Sequence, residues 1–491
     1  MGNTSLFPNE RIHRVGLSVR FRLLAHPVAL THLAPRASPV SIAPLPPISL
    51  ATAKSLVDLL PAISPHPTDE LTGELWVEIV EQLDGPGGLI SRVEAWDDLA
   101  TEAVEPNVFH ESWQLLPAIR EFTPQRCRFA LVYRGSKRQD VAPRLCGFFP
   151  FLETGGGWLR PRRWTLWEHD YCYLSTPLVR KGHEIEVWKA LFDALEHSPS
   201  GPALVDLPCQ QGEGVLAQAL TQVLFDRKAL VENVETHTRA LVRQSPDWMA
   251  YAATAMSTHH RRELRRLWRR LMEQGDLTER SLGPDQGRAS ESWIDSFLHL
   301  ESEGWKGQQG SSVQESRGAA EYFRSITRSA YQRNRLQMFG LFLNGEPIAM
   351  KVNFLANRGA FAFKIAYDER FAKFSPGVQL ELENLRRLHE SPEIEWMDSC
   401  AVPKHFMINR LWKERRTIQH LRVSTGRLSG NLEIGVRTLF RSIRRSLKSR
   451  ATSVTPPTTE PLANLASVNV APVAPLNAVP QTESPGESPC T

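Results

Sequence analysis

The sequence predicts a mixed α/β (α+β) fold of two tandem units, each a mostly antiparallel twisted sheet flanked by helices, with unstructured extensions at both ends. Three observations lead there. Strand-like runs at 336–343 and 346–355 meet at Asn344-Gly345, a strong short-range hairpin signal. Helical and strand-like periods follow a similar order in both halves of the body. Residues 1–70 and those from 451 on carry many prolines and little periodicity.

A chain of 491 residues is long enough for two to three domains, and 41% hydrophobic with 23% charged residues is an ordinary globular balance. The formal charge of +4 is small for this length and does not by itself argue for nucleic acid or membrane. Six cysteines lack paired metal-ligand spacing, so they read as small buried hydrophobes of a reducing compartment, and no metal is expected. No apolar run approaches the roughly 20 residues that cross a bilayer. The first fifty residues are rich in Arg and Pro but lack a signal-peptide apolar block. They read as a disordered arm, with an organellar-type presequence or an early start codon as alternatives.

In chain order, 71–250 forms the first unit. Its strands fall at 128–133, 145–152, 164–174 and 203–207, its helices at 185–196 and 214–224. Gly155-Gly156-Gly157 reads as a turn, because no helix follows it. The second unit is 251–425. Helix 257–275 places Leu264, Leu267, Trp268 and Leu271 on one stripe, with Ser257 or Thr258 as cap and Gly275 as stop. Its opposite face holds Arg261, Arg262, Arg265, Arg266, Arg269 and Arg270, either a solvated face or a docking surface for anions. Helices follow at 290–303 and 318–332, then the hairpin, a third strand at 360–367, a helix at 376–389 and a strand at 393–397. A short helix at 406–412 and a strand at 418–423 close the unit. Residues 426–450 form a basic amphipathic helix. Leu432, Val436, Leu439, Phe440, Ile443 and Leu447 lie on one side of it, Arg437, Arg441, Arg444, Arg445 and Lys448 on the other. Such a helix rests on an anionic membrane or packs on its own domain.

The chemistry concentrates in the second unit. Strict alternation in 360–367 puts Phe361, Phe363, Ile365 and Tyr367 on one face and Ala360, Ala362, Lys364 and Ala366 on the other, leaving room beside the methyl row. Lys364 is then a charge clamp or a salt bridge at a domain contact. Ser375-Pro376-Gly377 opens a helix: serine suits the N-cap, proline the first turn, and glycine lets a ligand approach the backbone. With Val378, these residues form a candidate phosphate site or simply a well-started helix. Trp305 and Lys306 are a candidate substrate wall and phosphate contact; Trp305 reads equally as a core anchor. Asp398 is a candidate base or a turn residue, and His405 an alternative base. Tyr367 could donate to a leaving thiolate, and Asp368 could contact substrate.

Glu303-Gly304-Trp305-Lys306-Gly307, Phe363 through Asp368, Phe374 through Gly377, Asp398-Ser399-Cys400 and Asn409 with Trp412 together resemble the CelD/BcsL-type acetyltransferases of the GNAT superfamily. That family is similar to the FemAB peptidyltransferases, which carry two tandem GNAT-like units. The resemblance covers roughly 75–425 and implies transfer from acetyl-CoA to an amine or hydroxyl. It also implies a bacterial cytoplasmic enzyme with possible links to cellulose or other exopolysaccharide production, its cofactor diphosphate at Ser375 to Val378. The first unit lacks both the Ser-Pro-Gly and Trp-Lys-Gly pieces and is assigned to substrate binding and scaffolding. Aminoacyl transfer from charged tRNA and a non-catalytic binding role are the competing expectations. Nucleic acid ranks low as a partner, because the basic helix is short.

Overall fold

The computed structural model describes residues 73–122, 126–135, 142–157, 160–284, 286–303 and 318–452. The expectations for 1–70, for the tail beyond 452, and for Trp305 and Lys306 lie outside the described residues.

Both halves run through the same succession. In the first, strand β1 (Leu75–Val80) precedes helices α1 (Val93–Thr101) and α2 (Ser112–Phe122). Then come β2 (Cys127–Arg134), β3 (Arg144–Thr154), β4 (Arg163–Leu166), a two-residue strand β5 (Leu178–Val179), α3 (Glu184–His197), β6 (Leu204–Gln211), α4 (Val215–Asp226) and β7 (Val231–Arg243). Helices α5 (Trp248–Ala255) and α6 (Thr258–Met272) lead to the second round: β8 (Leu277–Ser281), α7 (Gly287–Glu303), α8 (Ala319–Gln332), β9 (Leu336–Leu343), β10 (Glu346–Ala356) and β11 (Gly359–Tyr367). It finishes with α9 (Pro376–Glu390), β12 (Trp396–Asp398), α10 (Ile408–Leu411) and β13 (Glu414–Ser424), before a final helix α11 (Leu428–Thr452).

Local chemistry accounts for the boundaries. Asn344 and Gly345 both take positive φ, as the tight β9–β10 turn requires. Ser257 caps α6 by accepting from the His260 N–H at 3.2 Å, and Leu264 and Leu271 bury the apolar stripe.

The last strand of each half has changed places. The order across the sheet is β1-β2-β3-β4-β6-β13-β7-β12-β11-β10-β9-β8, with β5 beside β3. Thus β13 pairs with β6 of the first half, β7 pairs with β12 of the second, and β7 and β13 pair with each other. One sheet therefore runs through both repeats. On one side of it, α1 and α2 meet α7 and α8 in a shared core. There the Phe109 ring lies 5.3 Å from Phe361 and Trp113 lies 5.6 Å from Phe354. On the other side, α3 and α4 cover the first half, and α5, α6, α9 and α10 cover the second.

Several expected elements are corrected. The strand expected at 164–174 stops at Leu166, and the chain from Trp167 turns inward. That at 393–397 shrinks to Trp396–Asp398, and the helix at 406–412 to Ile408–Leu411. The strict alternation of 360–367 fails too. Between the Phe354↔Phe361 and Val352↔Lys364 pairs, two β11 residues, Ala362 and Phe363, stand opposite the single β10 residue Asn353. This β-bulge shifts the phase, so Lys364 and Ala366 share the side of Phe361 and Phe363, while Ile365 and Tyr367 face the α6–α9 side. Strands β1, β7 and β8 and helices α1, α2 and α5 carried no sequence expectation.

Candidate functional site

Strands β11 and β12 run parallel for only three residue pairs, Gly359↔Trp396 to Phe361↔Asp398. Beyond that, the chain after Asp398 stays with β7, the Ser399 N–H donating to Ala240 O at 3.1 Å, while β11 stays with β10 as far as Tyr367. The two strands splay apart, and the bulge at Ala362 and Phe363 lies where they part. Among the described residues this β11 edge has no β12 partner, so its backbone donors and acceptors can pair with whatever enters the wedge.

The first half repeats this geometry and then fills it. Strands β4 and β6 pair in parallel from Arg163↔Leu204 to Thr165↔Asp206. Past that point the segment from Tyr173 to Thr176 lies against β6. The Ser175 N–H donates to Cys209 O (3.1 Å), the Gln210 Nε2 to Ser175 O (2.8 Å) and the Gln211 N–H to the Thr176 hydroxyl (3.0 Å). Here the polypeptide occupies its own wedge.

In the second half, the chain after β11 makes a 3-10 turn (Glu369–Phe374) and enters α9 past the end of β11. Ser375 sits at the N-cap in the left-handed region (φ 55°), and its side chain makes no capping bond, contrary to the expected serine cap. Its carbonyl instead accepts from the Val378 and Gln379 N–H groups (3.0 and 3.1 Å). Pro376 has no N–H, and both Pro376 and Gly377 are buried. A Cβ at Gly377 would sit 3.0 Å from Tyr367 Cδ1, so glycine is what lets the half-buried Tyr367 ring lie on the helix start. Burial, then the charge of Glu369, push the Tyr367 hydroxyl pKa up, so it stays a proton donor at neutral pH. Cations stand at this end of the helix: the Lys373 ammonium lies 4.9 Å and the Arg270 guanidinium 6.0 Å from the Phe374 ring centre.

Lys364 lies on the opposite face of β11. Its ammonium is 3.1 Å from the buried Glu301 carboxylate of α7 and 5.1 Å from the centre of the Tyr171 ring, which belongs to the first half. Tyr171, His169, Tyr322 and Phe122 form an aromatic cluster there, ring centres 4.9–6.4 Å apart. Burial and the neighbouring His110 hold the His169 pKa down to about 3, so its ring is neutral.

Asp398 is fully buried. Arg239 of β7 and Arg416 of β13 donate to it at 2.9 and 2.7 Å, and the Cys400 N–H at 2.9 Å. Burial alone would raise its pKa, but the two guanidinium charges outweigh that and hold the carboxyl below its ordinary range. Asp206 occupies the matching end of the β4–β6 pairing and accepts two bonds from Arg422 of β13 (2.8 and 2.9 Å).

Asp368 caps the 3-10 turn and pairs with Arg370 at 2.6 Å, which, against burial, keeps its carboxyl below the usual range. His405 accepts from the Ile408 N–H at 3.3 Å and stacks on the exposed Phe406 ring, a local cap for α10. The structure thus brings Ser375, Pro376, Gly377, Val378 and Tyr367 to one end of β11 and sets Lys364 on its other face. Sequence reading missed Glu301, Tyr171, Tyr322 and His169. Glu301 sits inside a helix correctly expected at 290–303, but nothing local shows that it faces Lys364.

Residues 258–406 match the protein-family profile described as acetyltransferase (GNAT) domain. The match runs from α6 to the approach of α10, within the second half. Among solved structures, the chain is similar to FemX (TM-score 0.46, 9% identity, 67% of this chain and 95% of that one). It is also similar to L-PGS from Bacillus licheniformis (TM-score 0.42, 12% identity, 73% and 98%). A third likeness is to a tandem GNAT protein from the clavulanic acid biosynthesis pathway (TM-score 0.35, 14% identity, 72% and 99%). No curated protein matches the chain.

Proposed function

We propose that this protein is an acyl-CoA-dependent acyltransferase that moves an acetyl group from acetyl-CoA to an amine or hydroxyl of a small molecule or an envelope or exopolysaccharide precursor, in the manner of the CelD/BcsL-type enzymes. The observation that carries this reading is the edge of β11 beyond Phe361, which has no strand partner on the β12 side among the described residues and is set between a bulge and a helix start. An acyl-pantetheine arm lying along β11 replaces the missing β12 partner. Its diphosphate then reaches the start of α9 at Ser375 to Val378, where the Ser375 hydroxyl, the Gly377 N–H, the helix dipole and Lys373 receive it. The filled wedge of the first half supports a scaffolding role there.

Transfer is a direct attack. The acceptor nitrogen or oxygen adds to the thioester carbon, and backbone N–H groups of the bulge stabilise the oxyanion. The intermediate then expels the thiolate, which Tyr367 protonates. The acceptor enters on the α7–α8 side, where Lys364 and Glu301 orient it and the Glu301 carboxylate takes its proton. Trp305 and Lys306 remain proposed substrate and diphosphate contacts, and Asp368 and His405 second-rank substrate contacts. Asp398 acts through Arg239 and Arg416 as a positioning residue. We place the enzyme in the bacterial cytoplasm.

Calorimetry with acetyl-CoA tests the reading: the wild type gives a binding heat, and Gly377→Val weakens binding at least about tenfold, or 1.4 kcal/mol. No heat from the folded wild type would sink the enzyme reading and favour a binding module. The exposed arginines of α6 favour one other reading, aminoacyl transfer from charged tRNA, in which RNA affinity falls steeply with salt.

A further inference from the structure

Among the residues whose side chains are described, helix α11 is anchored through its first half. Ile434 is buried, Gly430 packs on the Ala203 carbonyl, and Arg441 holds Glu232. Its apolar stripe points away from the body: Leu432 is 68% exposed, Val436 49%, Leu439 61%, Phe440 60% and Ile443 46%. Packing on its own domain, one of the two expectations for this helix, thus holds for Ile434 but not for the stripe from Leu432 to Ile443. Five large apolar side chains on successive turns are more than scattered surface hydrophobes.

Beside the stripe lies a cleft of about 1040 Å3, and Leu432 and Val436 line both. Arg160, Arg162, Arg163, Arg427 and Arg437 also line it, and Glu433 is the carboxylate among the described lining residues. Glu433 is shared by Arg163 (2.5 Å) and Arg437 (2.9 Å), Arg162 meets Glu153 at 3.6 Å and Arg163 also meets Asp206 at 3.7 Å; five guanidinium groups against these three carboxylates leave the cleft net positive. The sequence of α11 adds Arg444, Arg445, Lys448 and Arg450 further along. An apolar stripe bordered by guanidinium groups matches the section of an anionic bilayer, acyl chains below and phosphates above.

We propose that α11 and the adjoining arginine cleft dock this protein on an anionic phospholipid surface, the stripe from Leu432 to Ile443 entering the acyl boundary and the cleft taking headgroup phosphates. The inference is independent of the transfer chemistry, because neither feature touches the wedge residues. The test is co-sedimentation of the full chain with phosphatidylglycerol-containing vesicles and with pure phosphatidylcholine vesicles. Partitioning onto the anionic vesicles should exceed that onto neutral ones by about tenfold or more and fall with salt. The double variant L439E/F440E should lose it while keeping the wild-type circular dichroism and melting temperature. Arg160→Glu should weaken it only on anionic vesicles. Equal binding to both vesicle types overturns the proposal, as does binding that survives L439E/F440E. A dimer that this variant disperses, with no vesicle binding by the wild type, would overturn it in favour of a contact between copies.

Discussion

Among single residues, Asp398 and Asp206 are the most instructive pair. Both end the short parallel pairing of their half, and both are clamped by arginines from an exchanged strand. Among the described residues one wedge is filled by its own chain and the other has no such segment, yet the aspartate is present in both. Its task is therefore common to both halves, namely to neutralise the arginines that arrive with β7 and β13. Asp398→Asn leaves Arg239 and Arg416 buried without a counter-charge and should cost about 3–5 kcal/mol of stability by denaturant titration. The shape of the pH–rate profile should not change; loss of its acid limb would restore Asp398 to the base role. Lys364→Met should lower kcat/KM for the acceptor by roughly 10–100-fold while leaving acetyl-CoA affinity within about twofold. An affinity loss for acetyl-CoA instead would put Lys364 on the cofactor side. The sequence displays the carboxylate of Asp398, but its guanidinium partners lie on strands brought in from elsewhere in the chain, and no local pattern reveals that.

At the level of elements, legibility followed the strength of local signals. Helix α6, the β9–β10 hairpin and helix α9 were readable, because caps, a turn dipeptide and a proline at the first helical turn act over a few residues. Strand β7 was not. It is rich in Glu, Thr, Asn and His, and its ladder partners rather than its own apolar pattern hold it in mid-sheet. The β11 bulge was equally hidden, since period two carries no mark of an inserted residue. The pose of α9 rests on a buried network. Lys351 of β10 meets Glu381 at 2.8 Å, Trp412 donates to the same carboxylate at 3.0 Å, and Asn384 joins Glu381 to Asn353. Lys351→Met strands Glu381 without its cation and should cost about 3–5 kcal/mol by chemical denaturation. Loss below about 1 kcal/mol would mean that packing alone seats the helix.

For the molecule as a whole, buried titratable groups pull in opposite directions with pH. Burial lowers His110 to about 4, so its folded-state pKa lies below the unfolded value of about 6.5. Its contribution is present above about pH 6.5 and is lost as pH falls towards 4. Burial raises Glu105 and Glu111 to about 7, so their contributions are present below about pH 4.5 and lost as pH rises through 7. His110→Gln removes one side of this balance. The change in unfolding free energy between pH 7 and 5 should then differ from wild type by about 2 kcal/mol, in favour of the acid condition. Identical slopes would show that His110 titrates normally.

The exchange of β7 and β13 also sets a timetable for biosynthesis. Strand β6 waits for a neighbour that lies more than two hundred positions downstream, so a ribosome must finish nearly everything up to Ser424 before the earlier repeat can complete its ladder. Until then an unmatched rim stays open to other chains, and a message truncated before β13 yields a sticky fragment rather than a smaller working protein.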